Sequence, residues 1–127
     1  MAGGALGSLA RWLVAEWIAR FPWSCHFPYS TLLVNVTGSF GIGLLSEWLI
    51  EGGLLGHGSA FRALIFIGIL GGYTTFSSFS LQTLALLRSG YWLFAAMNVF
   101  LSVFFCLAAV WLGVVIVQWA NGVPRAN

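Results

Sequence analysis

Apolar residues follow one another in four long stretches along the chain, and short polar or glycine-rich breaks separate them. The stretches cover roughly residues 5–21, 31–50, 60–87 and 91–119. A helix that crosses a bilayer needs about 20 predominantly apolar residues, so each stretch is long enough for one crossing. The pattern predicts an all-α membrane protein, with one domain of four transmembrane helices over residues 1–127.

Composition excludes the usual soluble classes. Hydrophobic residues make up 60% of the chain and charged residues only 6%, against about 25% charged in a typical soluble domain. The net charge of +2 comes from five scattered arginines and three glutamates, so the basic patch that nucleic-acid binding requires is missing from the sequence. The two cysteines, Cys25 and Cys106, match no metal or redox spacing.

The third stretch differs from the others in length and in its centre. Residues 60–87 would extend about 42 Å as a helix, because each residue rises 1.5 Å, and the hydrocarbon layer is only about 30 Å thick. Near the middle, Gly71 and Gly72 precede Thr74 and Thr75, and both residue types are poor helix formers. The sequence therefore predicts a broken third helix.

A helix break inside a membrane has a chemical consequence. Backbone groups that a break frees are tolerated only when they are buried in protein or face a polar cavity, and unwound carbonyls are a known way to hold cations. Two inverted copies of the chain would bring two such breaks together. Their carbonyls would then surround one hard monovalent cation.

Polar residues share faces on two other stretches. On the second stretch one face carries Thr31, Asn35, Gly38, Ser39 and Ser46. On the fourth, Asn98, Ser102 and Cys106 are spaced four apart. Such residues either join helices or line a watery pathway. Asn35 is the hardest to explain by helix packing, because its carboxamide has two donor hydrogens and an acceptor oxygen to satisfy.

Charged residues interrupt the first stretch. Glu16 and Arg20 are four apart in the favourable order, which favours a structural ion pair over the alternative of an embedded proton-carrying carboxylate. Arg11 lies on another side of the same helix. It either extends to the interface or gives a vestibule a positive potential that gathers anions.

Phe76 and Phe79 share a face just after the predicted break. Core packing or lipid contact would explain them. The alternative is a role in an anion pathway, because the edge of an aromatic ring is positive and conduction requires weak sites in series.

Arginine counts do not choose an orientation for the chain. With four crossings, one side carries Arg62 and Arg125, plus Arg11 if its side chain reaches outward, and the other carries Arg20 and Arg88. The near tie reflects either a small sample or a chain that inserts both ways up. Insertion both ways would allow inverted copies to pair as an antiparallel dimer.

Three separated patterns carry a family resemblance. They are Gly3-Gly4-Ala5-Leu6-Gly7 with Arg11, Thr31-Leu32-Leu33-Val34-Asn35 with Gly38-Ser39-Phe40, and Gly71-Gly72-Tyr73-Thr74-Thr75-Phe76-Ser77-Ser78-Phe79. At these residues the sequence resembles the bacterial fluoride channels called Fluc or CrcB. The match covers essentially the whole chain, and the third pattern is the most specific.

The resemblance implies a passive fluoride channel without enzyme activity, built as a dual-topology homodimer in the bacterial inner membrane. It also implies two fluoride pathways and a central structural sodium ion (Na+). Carried over by position, the sodium ligands are the main-chain oxygens of Gly71 and Thr74, the vestibule arginine is Arg11, and the fluoride pathway contains Asn35, Thr75, Phe76, Phe79 and Ser102. The hydroxyl track maps onto Asn98, Ser102 and Cys106, and Gln82 stands where many members have a glutamate.

Two other functions are considered. A small multidrug-type proton-coupled exporter would use Glu16 as its proton carrier, but Arg20 is placed to neutralise that carboxylate. A membrane scaffold without transport activity would explain the small residues. Neither function gives the long, broken third stretch a purpose.

Overall fold

The computed structural model describes residues 2–22, 27–50 and 63–122, and all the regular secondary structure in this part of the chain is helical. The helices are α1 (Ala2–Ala19), α2 (Tyr29–Ile50), α3 (π-helical over Ala63–Leu70, then one α-helical turn over Gly71–Tyr73), α4 (Phe76–Arg88) and α5 (Trp92–Asn121). Helices α3 and α4 are the two halves of the predicted third helix. The all-helical plan is confirmed. Arg62, Arg125 and Cys25 lie outside the described residues.

The distribution of apolar side chains is the reverse of that in a soluble protein. Large apolar side chains are exposed all around the structure, among them Trp119 (87% exposed), Ile67 (78%) and Leu93 (72%). Several of the buried residues are polar, and Asn98 is only 1% exposed. Two segments of the described chain, Leu64–Arg88 and α5, are long and apolar enough to cross a membrane. This surface suits a hydrocarbon environment.

Helices α2 and α5 pack closely because glycines face each other's backbones. A β carbon at Gly113 would lie 2.6 Å from the carbonyl oxygen of Phe40 and 2.7 Å from the amide nitrogen of Leu44. On the opposite helix, a β carbon at Gly43 would meet the carbonyl oxygen of Val110. Small residues at such positions allow the close backbone approach on which helix association in membranes depends.

We expect Gly113→Ala to destabilise the protein by about 1–3 kcal/mol, the usual cost of forcing extra atoms into a packed interface. The measurement is thermal unfolding of the purified protein in detergent. The matched control is Ala108→Val on the exposed face of α5, which adds volume where nothing is packed. Equal melting temperatures for the two variants would contradict the close packing.

The break in the third helix lies at the threonines and not at the glycines. Thr74 has φ −75° and ψ 154°, and Thr75 has φ −150° and ψ 109°, so both are extended, whereas Gly71–Tyr73 is helical. β-Branched residues favour extended backbone. Gly72 has a different role, because a β carbon there would lie 2.7 Å from the carbonyl oxygen of Gly4 on α1. The prediction of a break is confirmed, and within the predicted segment of glycines and threonines it falls at the threonines.

Candidate ion pathway

Asn35 on α2 holds the break in place with two hydrogen bonds. Its Nδ2 donates to the carbonyl oxygen of Thr75 (3.2 Å), and the Thr75 amide donates to Asn35 Oδ1 (2.8 Å). The carboxamide thus replaces the peptide groups that would pair with Thr75 in a continuous helix. This pairing gives a partner to both backbone groups of a residue that is only 7% exposed, as buried backbone groups require.

Thr75 is also the N-cap residue of α4. Its Oγ1 accepts a hydrogen bond from the Ser78 amide (3.2 Å), which is the usual N-cap bond. The same hydroxyl donates to Ser78 Oγ (3.0 Å) and lies 3.3 Å from Ser77 Oγ. The positive end of the α4 dipole therefore lies at the break.

The break also removes helical partners from the carbonyl groups that precede it, among them those of Gly71 and Thr74. In a continuous helix the Gly71 oxygen would accept from the Thr75 amide, and the Thr74 oxygen would accept from the Ser78 amide. Here those amides donate to Asn35 Oδ1 and to Thr75 Oγ1. These two carbonyls are the ones that the family resemblance assigns to the sodium ion.

A cavity of about 270 Å³, here called the Phe cavity, lies beside the break. Its lining residues are Asn35, Ser39, Ile42, Thr74, Thr75, Phe76, Phe79, Ser102, Val103 and Cys106. All five residues that were predicted for the fluoride pathway therefore line one cavity. The ring centroids of Phe76 and Phe79 are 5.4 Å apart, and the rings are tilted by 43°. Phe76 is 79% exposed, so the cavity opens onto the surface of the single copy.

The polar face predicted on the fourth stretch is buried as expected. Asn98 is 1% exposed and Ser102 is 7% exposed. Asn98 Nδ2 donates to Thr83 Oγ1 (2.9 Å), but within the described residues Asn98 Oδ1 and Ser102 Oγ have no hydrogen-bond partner. A buried polar atom without a partner costs about 1–3 kcal/mol. Ser102 Oγ therefore has a hydrogen bond left to give to a species in the Phe cavity, which Ser102 lines.

A second cavity of about 330 Å³, here called the Arg cavity, lies on the other side of Thr75. Its lining residues are Ser8, Arg11, Trp12, Ala15, Ser30, Thr31, Val34, Thr75, Ser78 and Gln82. Arg11 is half-buried and forms no ion pair with any residue that the structure describes. A cationic group among hydroxyl groups makes this cavity attractive to anions.

A third cavity, of about 520 Å³, adjoins the Arg cavity and shares Ala15, Ser30 and Gln82 with it. Gln82 Oε1 is buried and has no hydrogen-bond partner in the described part of the chain. The sequence marked Gln82 only as a departure from the family, and it missed Ser30 and Ser78. Ser78 was recognisable from its spacing, because it lies three residues after the N-cap.

The ion pair that the sequence predicts between Glu16 and Arg20 is not formed. Both side chains are exposed, and no ion pair joins these two described residues. An exposed pair of this kind is worth only about 0–1 kcal/mol, too little to fix two long side chains. Glu16 is exposed on α1 and lines none of the three cavities described above.

Comparison with known proteins places this architecture in a family. The model of the CrcB-like protein family, described as camphor resistance (CrcB), matches residues 1–114. The chain belongs to the CrcB family. The resemblance drawn from three short sequence patterns is thereby confirmed. Membership of an ion-channel family, together with the apolar helices, indicates that the chain is a membrane protein.

Several curated CrcB-family relatives carry the name fluoride-specific ion channel FluC. The relative from Methylobacterium radiotolerans is 48% identical over 96% of this chain, and the alignment covers 84% of that relative. The relative from Methylocella silvestris is 47% identical over 99% of this chain, and the alignment covers 95% of that relative. The relative from Methylococcus capsulatus is 48% identical over 91% of the chain. The chain spans about half the length of that protein.

Proposed function

We propose that the chain forms a fluoride-selective channel that exports fluoride passively and catalyses no reaction. The observation that carries the proposal is the row of cavities through the helix break. Hydroxyl groups, two carboxamides, two phenylalanine rings and one arginine line this row, in a family whose curated relatives are named as fluoride-specific channels.

The chemistry of the lining suits a small hard anion. Hydroxyl and amide donors replace part of the hydration shell, and positive ring edges add weak contacts without a full charge. Conduction requires sites that bind weakly enough to release the ion. Arg11 lies in the Arg cavity, away from the phenylalanine rings, so it attracts fluoride at the vestibule without trapping it in the narrow part.

The working channel in this proposal is an antiparallel dimer that spans the bacterial inner membrane four times per copy. The wide exposure of Phe76 and the open side of the Phe cavity support it, because a second, inverted copy would cover both. Gly71, which is exposed, and Thr74 would face their equivalents across the dimer axis.

The residues at the break fit a structural sodium ion. Hard main-chain oxygens suit a hard monovalent cation, and the carbonyls of Gly71 and Thr74 have lost their helical partners to Asn35 and to Thr75 Oγ1. A bound sodium ion would supply positive charge that holds the two breaks together.

The test of the proposal is fluoride efflux from liposomes, followed with a fluoride electrode. Purified protein is expected to release internal fluoride, while chloride and a cationic dye stay inside. Release of the dye driven by a proton gradient, without fluoride efflux, would favour the multidrug-type exporter instead.

Glu16→Gln separates the two functions within the chain. We expect fluoride efflux to persist at the rate of the unmodified protein, because Glu16 is an exposed residue on the outside of α1. The same liposome assay measures this rate. Complete loss of transport in a folded Glu16→Gln variant would identify a proton carrier and contradict the channel proposal.

A further inference from the structure

Thr75 stands between two cavities that otherwise have no residue in common. It lines both the Arg cavity and the Phe cavity, and no other described residue does so. Its side chain is nearly buried, at 7% exposure. Thr75 is the described side chain at which the two cavities meet, so it lies on the direct route from Arg11 to the phenylalanine rings.

We propose that the Thr75 side chain separates the two cavities of the pathway. Its hydroxyl passes the anion from the Arg cavity to the Phe cavity and determines the selectivity for fluoride over chloride. The proposal rests on the proposed function, because it requires an anion to travel between the two cavities. It gives Thr75 a role beyond capping α4.

The hydrogen bonds of Thr75 allow both roles at once. Its Oγ1 accepts from the Ser78 amide (3.2 Å), and this bond caps α4. Its single proton points to Ser78 Oγ (3.0 Å). The proton can turn from Ser78 Oγ to an anion while the oxygen continues to accept from the amide. The exchange is favourable, because a hydrogen bond to a charged acceptor is stronger than one to a neutral hydroxyl.

The surroundings of Thr75 suit a transfer between donors. Ser78 lines the Arg cavity, so its hydroxyl meets the anion on the Arg11 side before Thr75 does. Asn35 fixes the Thr75 backbone from α2 and itself lines the Phe cavity. The backbone therefore stays in place while the hydroxyl proton changes partner.

Size selection follows from the same geometry. A threonine side chain at the point where the two cavities meet takes up more space than a serine would, and its hydroxyl offers one donor to an anion there. The electrostatic attraction between a donor and an anion falls with distance, so a small anion gains more from this donor than a large one. Fluoride gains more from this donor and needs less space than chloride, and it is selected where these two gains exceed its larger cost of dehydration.

The test compares Thr75→Val and Thr75→Ser in the liposome assay, with fluoride and chloride efflux measured for each. Valine keeps the shape and removes both the donor and the oxygen that caps α4. We expect the fluoride rate to fall by about tenfold or more, because the barrier rises when a charge-assisted bond is lost. Serine keeps the donor and removes the methyl group. We expect fluoride efflux to stay within about twofold of the unmodified rate and chloride leak to increase, since the passage is wider while a hydroxyl still donates.

Thr37→Val is the matched control. It removes an exposed hydroxyl on α2, which donates to the Leu33 carbonyl (2.8 Å), and Thr37 lines neither cavity. We expect its fluoride efflux to match that of the unmodified protein. A Thr75→Val channel as fast as this control would overturn the inference.

The remaining outcomes are also decisive. If Thr75→Val fails to assemble, the Thr75→Ser variant provides the test. Chloride exclusion as complete as in the unmodified protein would contradict a role of Thr75 in separating the two cavities. Absence of fluoride efflux from the unmodified protein would overturn the proposed function itself. This result differs from the one that overturns only the inference about Thr75, in which the unmodified protein shows normal fluoride efflux and neither substitution changes it.

Discussion

Replacing Phe79 with isoleucine is expected to reduce fluoride efflux to the background of protein-free liposomes, with the protein still folded. Phe76→Ile is expected to do the same. Both rings line the Phe cavity, 5.4 Å apart, and isoleucine keeps the apolar bulk while removing the positive ring edge. The loss should therefore appear in the efflux rate and not in the melting temperature or in the elution volume on gel filtration.

Phe100→Ile is the control for this pair. Phe100 is 67% exposed on α5 and does not line the Phe cavity, so the substitution makes the same chemical change on the outer surface. Efflux through this variant should equal that of the unmodified protein. Unchanged efflux in both Phe76→Ile and Phe79→Ile would remove the aromatic contacts from the mechanism.

Asn35→Asp is the second substitution expected to have a large effect, and it acts in two ways. A carboxylate places a negative charge on the Phe cavity and repels a passing anion. It also replaces the Nδ2 donor, which lies 3.2 Å from the Thr75 carbonyl oxygen, with a second acceptor. We expect no fluoride efflux, together with a loss of stability of about 1–3 kcal/mol from the unsatisfied carbonyl.

Asn35→Ala separates the two effects. It adds no charge and removes both hydrogen bonds to Thr75, whereas aspartate keeps the oxygen that accepts from the Thr75 amide. Asn35→Ala should therefore lower the melting temperature at least as much as Asn35→Asp does and leave measurable fluoride efflux. Normal efflux in Asn35→Asp would mean that the side chain does not face the ion. Unchanged melting temperatures in both variants would contradict the role of Asn35 in holding the break.

The sequence was most informative where a periodic pattern reflects burial. The spacing of Asn98, Ser102 and Cys106 predicted one face of a helix, and the first two are buried while Cys106 lines the Phe cavity. The length of residues 60–87 predicted a break in the third helix. Both conclusions rest on properties that a linear sequence carries directly, namely helical periodicity and rise per residue.

The position of the break could not be read from local propensity alone. Glycine is a poor helix former, yet Gly71–Tyr73 is helical. The close approach of Gly72 to the backbone of Gly4 explains why a glycine stands at this position. The threonines are extended because a partner 40 positions away, Asn35, satisfies the Thr75 backbone. A contact between distant residues leaves no mark on the local pattern.

The predicted ion pair in α1 fails for a related reason. The spacing of Glu16 and Arg20 places the two residues on one side of the helix, but it does not show whether that side is packed against protein. Both are exposed, so nothing holds the charged groups together. The π-helical geometry of Ala63–Leu70 likewise has no recognisable signal in its apolar sequence.

The most direct test of the central claim is a density map of the purified protein in lipid with sodium fluoride present. The account predicts two inverted copies whose chains leave the helix at Thr74 and Thr75, with the breaks facing each other across one cation. A continuous helix from residue 64 to residue 88, or two copies inserted the same way up, would contradict it.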